Sequence, residues 1–349
     1  SYELDLFGRI RSLSDEALNQ YFATEEARKS SRVTLIAETA NLWLQLGADR
    51  SLLAFAKETL DSQEQSYKLS EASYKAGAIN LLELNQAKQM YASAQASYAS
   101  TQRAVAQDLN ALALLVGTEV PESLLPTKVE VVTLAGMLPQ GVPSEVLLNR
   151  PDIAQAEYTL MAANADIGAA RANFFPRITL VASGGTGATE LDDLFSGGTR
   201  LWSFSPSISL PIFTGGANWA TLRVSETERD IAVADYEKAI QTAFREVADA
   251  LATEGTIERE LKATQDYADA TKKAYELAQA RYRHGSESFL TVLDSQRQYV
   301  SAQTQLAVAQ QARAMSLVTL YKVLGGGAVD LENTSEDKTA QTAEVKSEA

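Results

Sequence analysis

The chain has 349 residues, 45% of them hydrophobic, a formal net charge of -14 and no cysteine. That charge argues against nucleic acid or an anionic membrane surface as partner. The missing thiols exclude thiolate metal sites, cysteine nucleophiles and disulfides. Much of the apolar content is Ala, which suits long helices packed closely along their length better than one thick globular core.

Residues 1 to 7 alternate Tyr2, Leu4 and Leu6 with Glu3 and Asp5, the period of a strand with one wet and one apolar face. From about Ser14 to Ala76 there is no Pro and one Gly, Gly47, so a single helix of roughly 90 to 95 Å is expected at 1.5 Å per residue. Ser12 or Ser14 is the expected cap, with Asp15 and Glu16 in the first turn. A tight turn at Gly77 and a return helix from about Leu81 to Val116 follow, ended by Gly117.

Pro121, Pro126, Pro139 and Pro143 make residues 118 to 150 a connector lying outside the long helices. Pro151 and Asp152 then open a helix that runs to Phe174-Phe175, where Pro176 stops it. Beyond it the period changes to two. Ile178, Leu180 and Ala182 alternate with Thr179, Val181 and Ser183, and a Gly-rich reversal leads back through Trp202, Phe204, Ile208, Leu210 and Ile212, which alternate with serines. An apolar face opposed by small polar residues is what a strand between lipid and a water-filled lumen requires. No run of about twenty apolar residues could form a transmembrane helix, but a β-barrel needs none. A second long helix from about Ala217 to Arg283, a turn at Gly285 and a partner from about Phe289 to Leu324 complete the order. Leu261, Ala268, Tyr275 and Tyr282 recur every seven residues as a coiled-coil-like seam. Residues 326-349 read as a disordered acidic tail.

The two helical pairs are one unit written twice. With constant spacing Glu38 matches Glu246, Tyr74 matches Tyr282, Gly77 matches Gly285 and Leu82 matches Leu290. Tyr91 through Gln95 match Tyr299 through Gln303, and Gly117 matches Gly325. Leu4 through Phe7 match Leu210 through Phe213 with a small gap. Register kept over that distance means duplication of a strand-helix-helix unit. The expected segments are 1-117 (first repeat, tip near Gly77), 118-175 (equatorial connector and helix), 176-213 (β-hairpin), 214-325 (second repeat, tip near Gly285) and 326-349 (tail).

Leu138 through Ser144, Leu148-Asn149-Arg150-Pro151-Asp152-Ile153, Ala162-Ala163-Asn164-Ala165, Gly168-Ala169-Ala170-Arg171 and Phe174-Phe175-Pro176 carry a specific resemblance. They resemble the TolC-like outer-membrane factor family, most closely its drug-efflux branch that works with RND pumps, and the likeness runs from Glu3 to Gly325. It implies a mainly α protein with transmembrane β: a homotrimeric outer-membrane β-barrel continued by a long periplasmic α-helical barrel. Family members carry a further strand, helices, a signal peptide and often an acylated cysteine, so an N-terminal part of the protein is expected before Ser1.

The resemblance also assigns roles. Leu290 and Asp294, four residues apart and so on one helix face, match pore-lining positions and would form an apolar and an acidic ring around a threefold axis. Glu83 with Tyr282, and Arg297 with a carboxylate of a neighbouring hairpin, are the expected latches. The tips, Gly77, Ala78, Ile79, Gly285, Ser286 and Glu287, would meet a periplasmic adaptor protein, itself joined to an inner-membrane RND transporter. His284 reads as an exposed tip residue and Tyr74 as packing under its turn. The implied function is a passive exit duct for drugs and other small molecules, embedded in outer-membrane lipid, with no cofactor and no metal. Two alternatives stand beside it: the outer component of type I protein secretion, and a coiled-coil scaffold. An enzyme is not expected, since no nucleophile motif, phosphate loop or zinc-ligand spacing is present.

Overall fold

The computed structural model describes residues 1–129, 150–187, 189–190, 192, 197 and 200–326. The residues 138–144, 148 and 149 that open the family-like motif, and the tail, lie outside them. In chain order the elements are β1 (Tyr2–Leu4), α1 (Arg9–Lys75), α2 (Leu81–Val116), a 3-10 turn (Glu122–Leu124), α3 (Pro151–Ala172), β2 (Arg177–Thr186), β3 (Arg200–Ser209), α4 (Ala217–Arg283) and α5 (Phe289–Val323). The duplication is exact in the backbone: α1 and α4 each have 67 residues and begin at matching positions, and α2 and α5 have 36 and 35. No helix among the described residues is long and apolar enough to cross a membrane.

The chain groups into two compact units that cut across the sequence-order segments: Ser1–Ser30 with Ser144–Phe244, and Ser31–Pro143 with Arg245–Ala349. In the first, β1, β2 and β3 form an antiparallel sheet in that order, with Glu3 opposite Thr179 and Ala182 opposite Phe204. Trp202 is 83% exposed, and Phe204 and Ile208 are exposed with it, so the apolar row of β3 has no cover among the described residues. That is the condition of a strand that faces lipid or a neighbouring protomer. β1 is shorter than the alternation from residue 1 to 7 predicts, because Asp5 leaves the strand to cap α1. Its two carboxylate oxygens accept from the backbone N–H groups of Ile10 and Arg11 at 3.1 and 3.0 Å. The helix therefore starts at Arg9, five residues earlier than expected, and the cap is Asp5 rather than Ser12 or Ser14.

α3 docks through the family-like residues. Arg150, 6% exposed, donates twice to Asp152 at 3.0 and 2.7 Å, and Asp152 also accepts from Ile153 N–H at 3.1 Å. Burial alone would raise the Asp152 carboxyl, but its bonds from Arg150 and Ile153 hold it below the ordinary carboxylate range. Gly168 lies against α1, where a Cβ would stand 2.5 Å from Ser12 Oγ. Phe175 stacks on Phe7 with ring centres 4.7 Å apart, and Phe174 meets Trp219 edge-on at 5.2 Å.

The second unit holds both hairpins. Leu46, Val105, Leu112 and Leu125 form one core cluster, and Ala268, Ala302 and Leu306, with Leu261 against them, form another. The predicted seam therefore passes through Leu261 and Ala268. The connector packs on the outside of α1 as its prolines predict: Trp43 Nε1 donates to Leu124 O at 2.9 Å and Arg50 Nη1 to Pro126 O at 3.2 Å. Gly47 makes this approach possible, because a Cβ there would come within 2.9 Å of Lys128 O.

Candidate functional site

The site predicted from sequence is the pair of hairpin tips in the second unit. Both turns are built alike. Gly77 and Gly285 sit at φ 76° and 73°, in the left-handed region. Gly77 N–H donates to Tyr74 O and Ala78 N–H to Ser73 O, and Gly285 and Ser286 repeat these bonds to Tyr282 O and Arg281 O, all at 2.9 Å. This double closure satisfies two of the terminal carbonyls of each outgoing helix. Each return helix is then capped at the matching residue. Asn80 Oδ1 accepts from Glu83 N–H at 3.0 Å, and Ser288 Oγ accepts from Thr291 N–H at 3.2 Å. Further along, Tyr67 stacks on Tyr91 (5.7 Å) and the matching Tyr275 on Tyr299 (5.9 Å), so the hairpins share an internal spacer as well as a turn.

Between the hairpins near the tips is a cleft of about 160 Å³ lined by Ile79, Glu83, Tyr282, Phe289, Val292 and Gln296, among others. The structure brings the predicted latch partners Glu83 and Tyr282 to this one cleft, but no hydrogen bond joins them. Glu83 Oε1 accepts instead from Asn80 Nδ2 at 3.3 Å. Tyr282 rests against Phe289 (5.3 Å). Burial, and then the nearby Glu83 carboxylate, push its phenol above the ordinary value, so Tyr282 stays a neutral donor.

Leu290 and Asp294 point outward on the same face of α5, Leu290 being 60% exposed. Arg297 does not reach a neighbouring hairpin within the chain. It is paired at 3.0 Å with Asp294 one turn back on its own helix, and Gln298 also donates to Asp294 at 3.2 Å. An i,i+3 contact between long side chains on an exposed helix forms without any tertiary partner. The matching positions on α2 are Gln86 and Gln89, so the ion pair belongs to the second hairpin alone.

The six tip residues divide. Gly77, Ala78 and Gly285 are exposed, while Ile79 turns into the cleft. The Ser286 hydroxyl closes the turn onto Arg281 O at 3.0 Å. Glu287 is drawn inward too: it accepts from Ser288 N–H at 3.2 Å and from Thr291 Oγ1 at 3.1 Å, and faces Arg281 at 3.8 Å. An acidic side chain at the start of a helix is stabilised there, a capping signal that Glu287 before Ser288 carries in sequence. His284 is exposed, as expected, and Tyr74 is 40% exposed rather than packed beneath its turn.

Three described features coincide: a duplicated helical hairpin, a three-stranded sheet with an uncovered aromatic row, and a linking helix opened by Arg150-Pro151-Asp152. The sequence profile of the outer membrane efflux protein family matches residues 1–118 and 142–326. The chain belongs to that family. It is 48% identical over 327 residues to the solvent efflux pump outer membrane protein SrpC of Pseudomonas putida, covering 94% of this chain and 70% of that one. It is 44% identical to the outer membrane protein OprJ of Pseudomonas aeruginosa, covering 93% and 68%. Among solved structures, the open state of the MtrE outer membrane channel of Neisseria gonorrhoeae is similar at a TM-score of 0.79 and 41% identity, covering 94% of this chain and 74% of that one. Members of the family with solved structures are outer membrane channels, and the long paired helices with a small sheet are consistent with a channel that carries a helical barrel. The coiled-coil scaffold is thereby set aside.

Proposed function

We propose that this chain is the outer-membrane channel of an efflux pump, a trimeric exit duct for small, largely apolar compounds. The relatives named for solvent, toluene and antibiotic efflux support this reading, with up to 48% identity over 94% of the chain. The same names favour small molecules over the proteins of type I secretion. An RND transporter supplies the cargo, a periplasmic adaptor links it to the exposed tip backbone at Gly77, Ala78 and Gly285, and lipid covers the apolar row of β3.

The duct is closed at the tips. Three Leu290 side chains make an apolar ring that resists wetting, and three Asp294 carboxylates make an acidic ring that selects cations. Glu83 and Tyr282, already facing one cleft, form the latch when the hairpins close, and Arg297 exchanges Asp294 for a carboxylate across the interface. Each such exposed link is worth no more than about 1 kcal/mol, so a docking partner can open it. Single-channel conductance of the membrane-inserted trimer tests this. Wild type conducts poorly, Glu83→Ala with Tyr282→Phe conducts well, and Asp294→Ala loses cation preference. Wild-type conductance and cation preference in both variants place the gate elsewhere.

A further inference from the structure

In the second unit both hairpins carry polar contacts between their helices, but only one of them includes a cation. In the C-terminal hairpin Arg313 on α5 pairs with Glu258 and, at 3.7 Å, with Glu254 of α4, and Ser316 Oγ donates to Glu254 at 3.4 Å. The N-terminal hairpin has Val105 in the place of Arg313 and Asp108 in the place of Ser316. Asp49 stands where the C-terminal hairpin buries Ile257.

Asp108 is 6% exposed, between the apolar side chains of Val105 and Leu112. Its Oδ1 accepts from Gln45 Nε2 at 2.9 Å, and its Oδ2 is buried without a partner. Asp49, one turn after Gln45, lies within hydrogen-bonding reach of it. Asn41, one turn before Gln45, also buries an unpartnered Oδ1, so the neighbourhood holds surplus acceptors. Among the described residues the groups that act on Asp108 are Asp49 and Gln45, and no cation is among them. Arg50 is turned to Glu122 (2.8 Å) and to Pro126 O, and Lys128 is exposed. Among the described residues the connector also contributes Leu125 and Val120, both apolar.

We propose that Asp108 holds a proton that it donates to the Asp49 carboxylate, forming a proton-operated tie between α1 and α2. A buried carboxyl beside a second carboxylate cannot ionise without a large penalty, and one proton on Asp108 converts the repulsion into a hydrogen bond that satisfies its Oδ2. Burial, then the Asp49 carboxylate, push Asp108 up to about 7, against the lowering effect of Gln45. The sign follows from the native form holding the proton more tightly than the unfolded one. The tie is strongest in acid and weakens as pH rises from about 4 through about 7, where it is lost. The N-terminal hairpin thus loosens as its compartment turns alkaline, while the C-terminal hairpin, whose carboxylates pair with Arg313, does not.

The test is infrared difference spectroscopy on the membrane-inserted trimer, combined with amide exchange along α1 and α2. Wild type shows a protonated-carboxyl C=O band that titrates with a midpoint near neutrality, and exchange around residues 42 to 53 rises several-fold across the same range. Asp108→Asn, which keeps the hydrogen bond without the proton, lacks the band and has flat exchange. Asp49→Asn serves as a second variant and also abolishes the titration near neutrality. A band unchanged in both variants, or no band in mildly acidic solution, overturns the proposal. So does protection that follows added calcium rather than pH, which would mean that a metal ion holds the pair.

Discussion

Gly47 and Gly255 occupy matching positions in α1 and α4, and the same substitution has opposite effects at the two. Replacing a helix-interior Gly by Ala stabilises by about 1 kcal/mol when nothing obstructs the new methyl group. At Gly255 a Cβ meets nothing within 4 Å, so Gly255→Ala gains that amount. At Gly47 the Cβ stands 2.9 Å from Lys128 O, 3.1 Å from Lys128 C and 3.3 Å from Val129 N, all backbone atoms that cannot rotate away. Overpacking of that kind costs about 1–3 kcal/mol, so Gly47→Ala is net destabilising by about 1 kcal/mol, localised in the connector. The assay is limited proteolysis beyond Lys128 under conditions where opening precedes cleavage. Gly47→Ala is cut about fivefold faster than wild type, since 1.4 kcal/mol is a factor of ten. Gly255→Ala is cut at the wild-type rate and unfolds at slightly higher temperature. Equal stabilisation by the two substitutions refutes the reasoning, because the connector would then not rest on Gly47.

Asp152→Ala strands the guanidinium of Arg150 from its carboxylate and costs about 2 kcal/mol of stability near neutrality. Because the native Asp152 carboxyl is held below its ordinary value, its contribution is present above about pH 4 and lost as pH falls through the native value, so acid titrations of wild type and variant converge at low pH. Gly77→Ala and Gly285→Ala each force a side chain into the left-handed region at about 1–2 kcal/mol, read as faster amide exchange confined to the substituted tip. Arg297→Ala releases Asp294 from its 3.0 Å ion pair, and cation preference in single-channel recordings rises above wild type, the reverse of Asp294→Ala.

Local chemistry settled much of this protein before any tertiary contact. Gly77 and Gly285, each preceded by a long Pro-free stretch and followed by Asn80 or Ser288, specify two hairpins, since a left-handed residue and a side-chain cap act within a few residues. The Ser/apolar alternation around Trp202 specifies a strand with one apolar face for the same reason. Three-dimensional packing decided what depends on residues distant in sequence. Asp5 outcompetes Ser12 as the α1 cap because the chain turns out of β1 beside the helix start. Gly47 is required and Gly255 is not, because Lys128 and Val129 of the connector lie against α1 at Gly47, whereas nothing described lies within 4 Å of a Cβ at Gly255. Arg297 chose Asp294 because a helical neighbour is always within reach, whereas a partner on another hairpin must be brought there. Asp49 and Asp108 are far apart in sequence and unremarkable on their own helices. Only the antiparallel packing of α1 on α2 buries Asp108 and brings it beside Asp49.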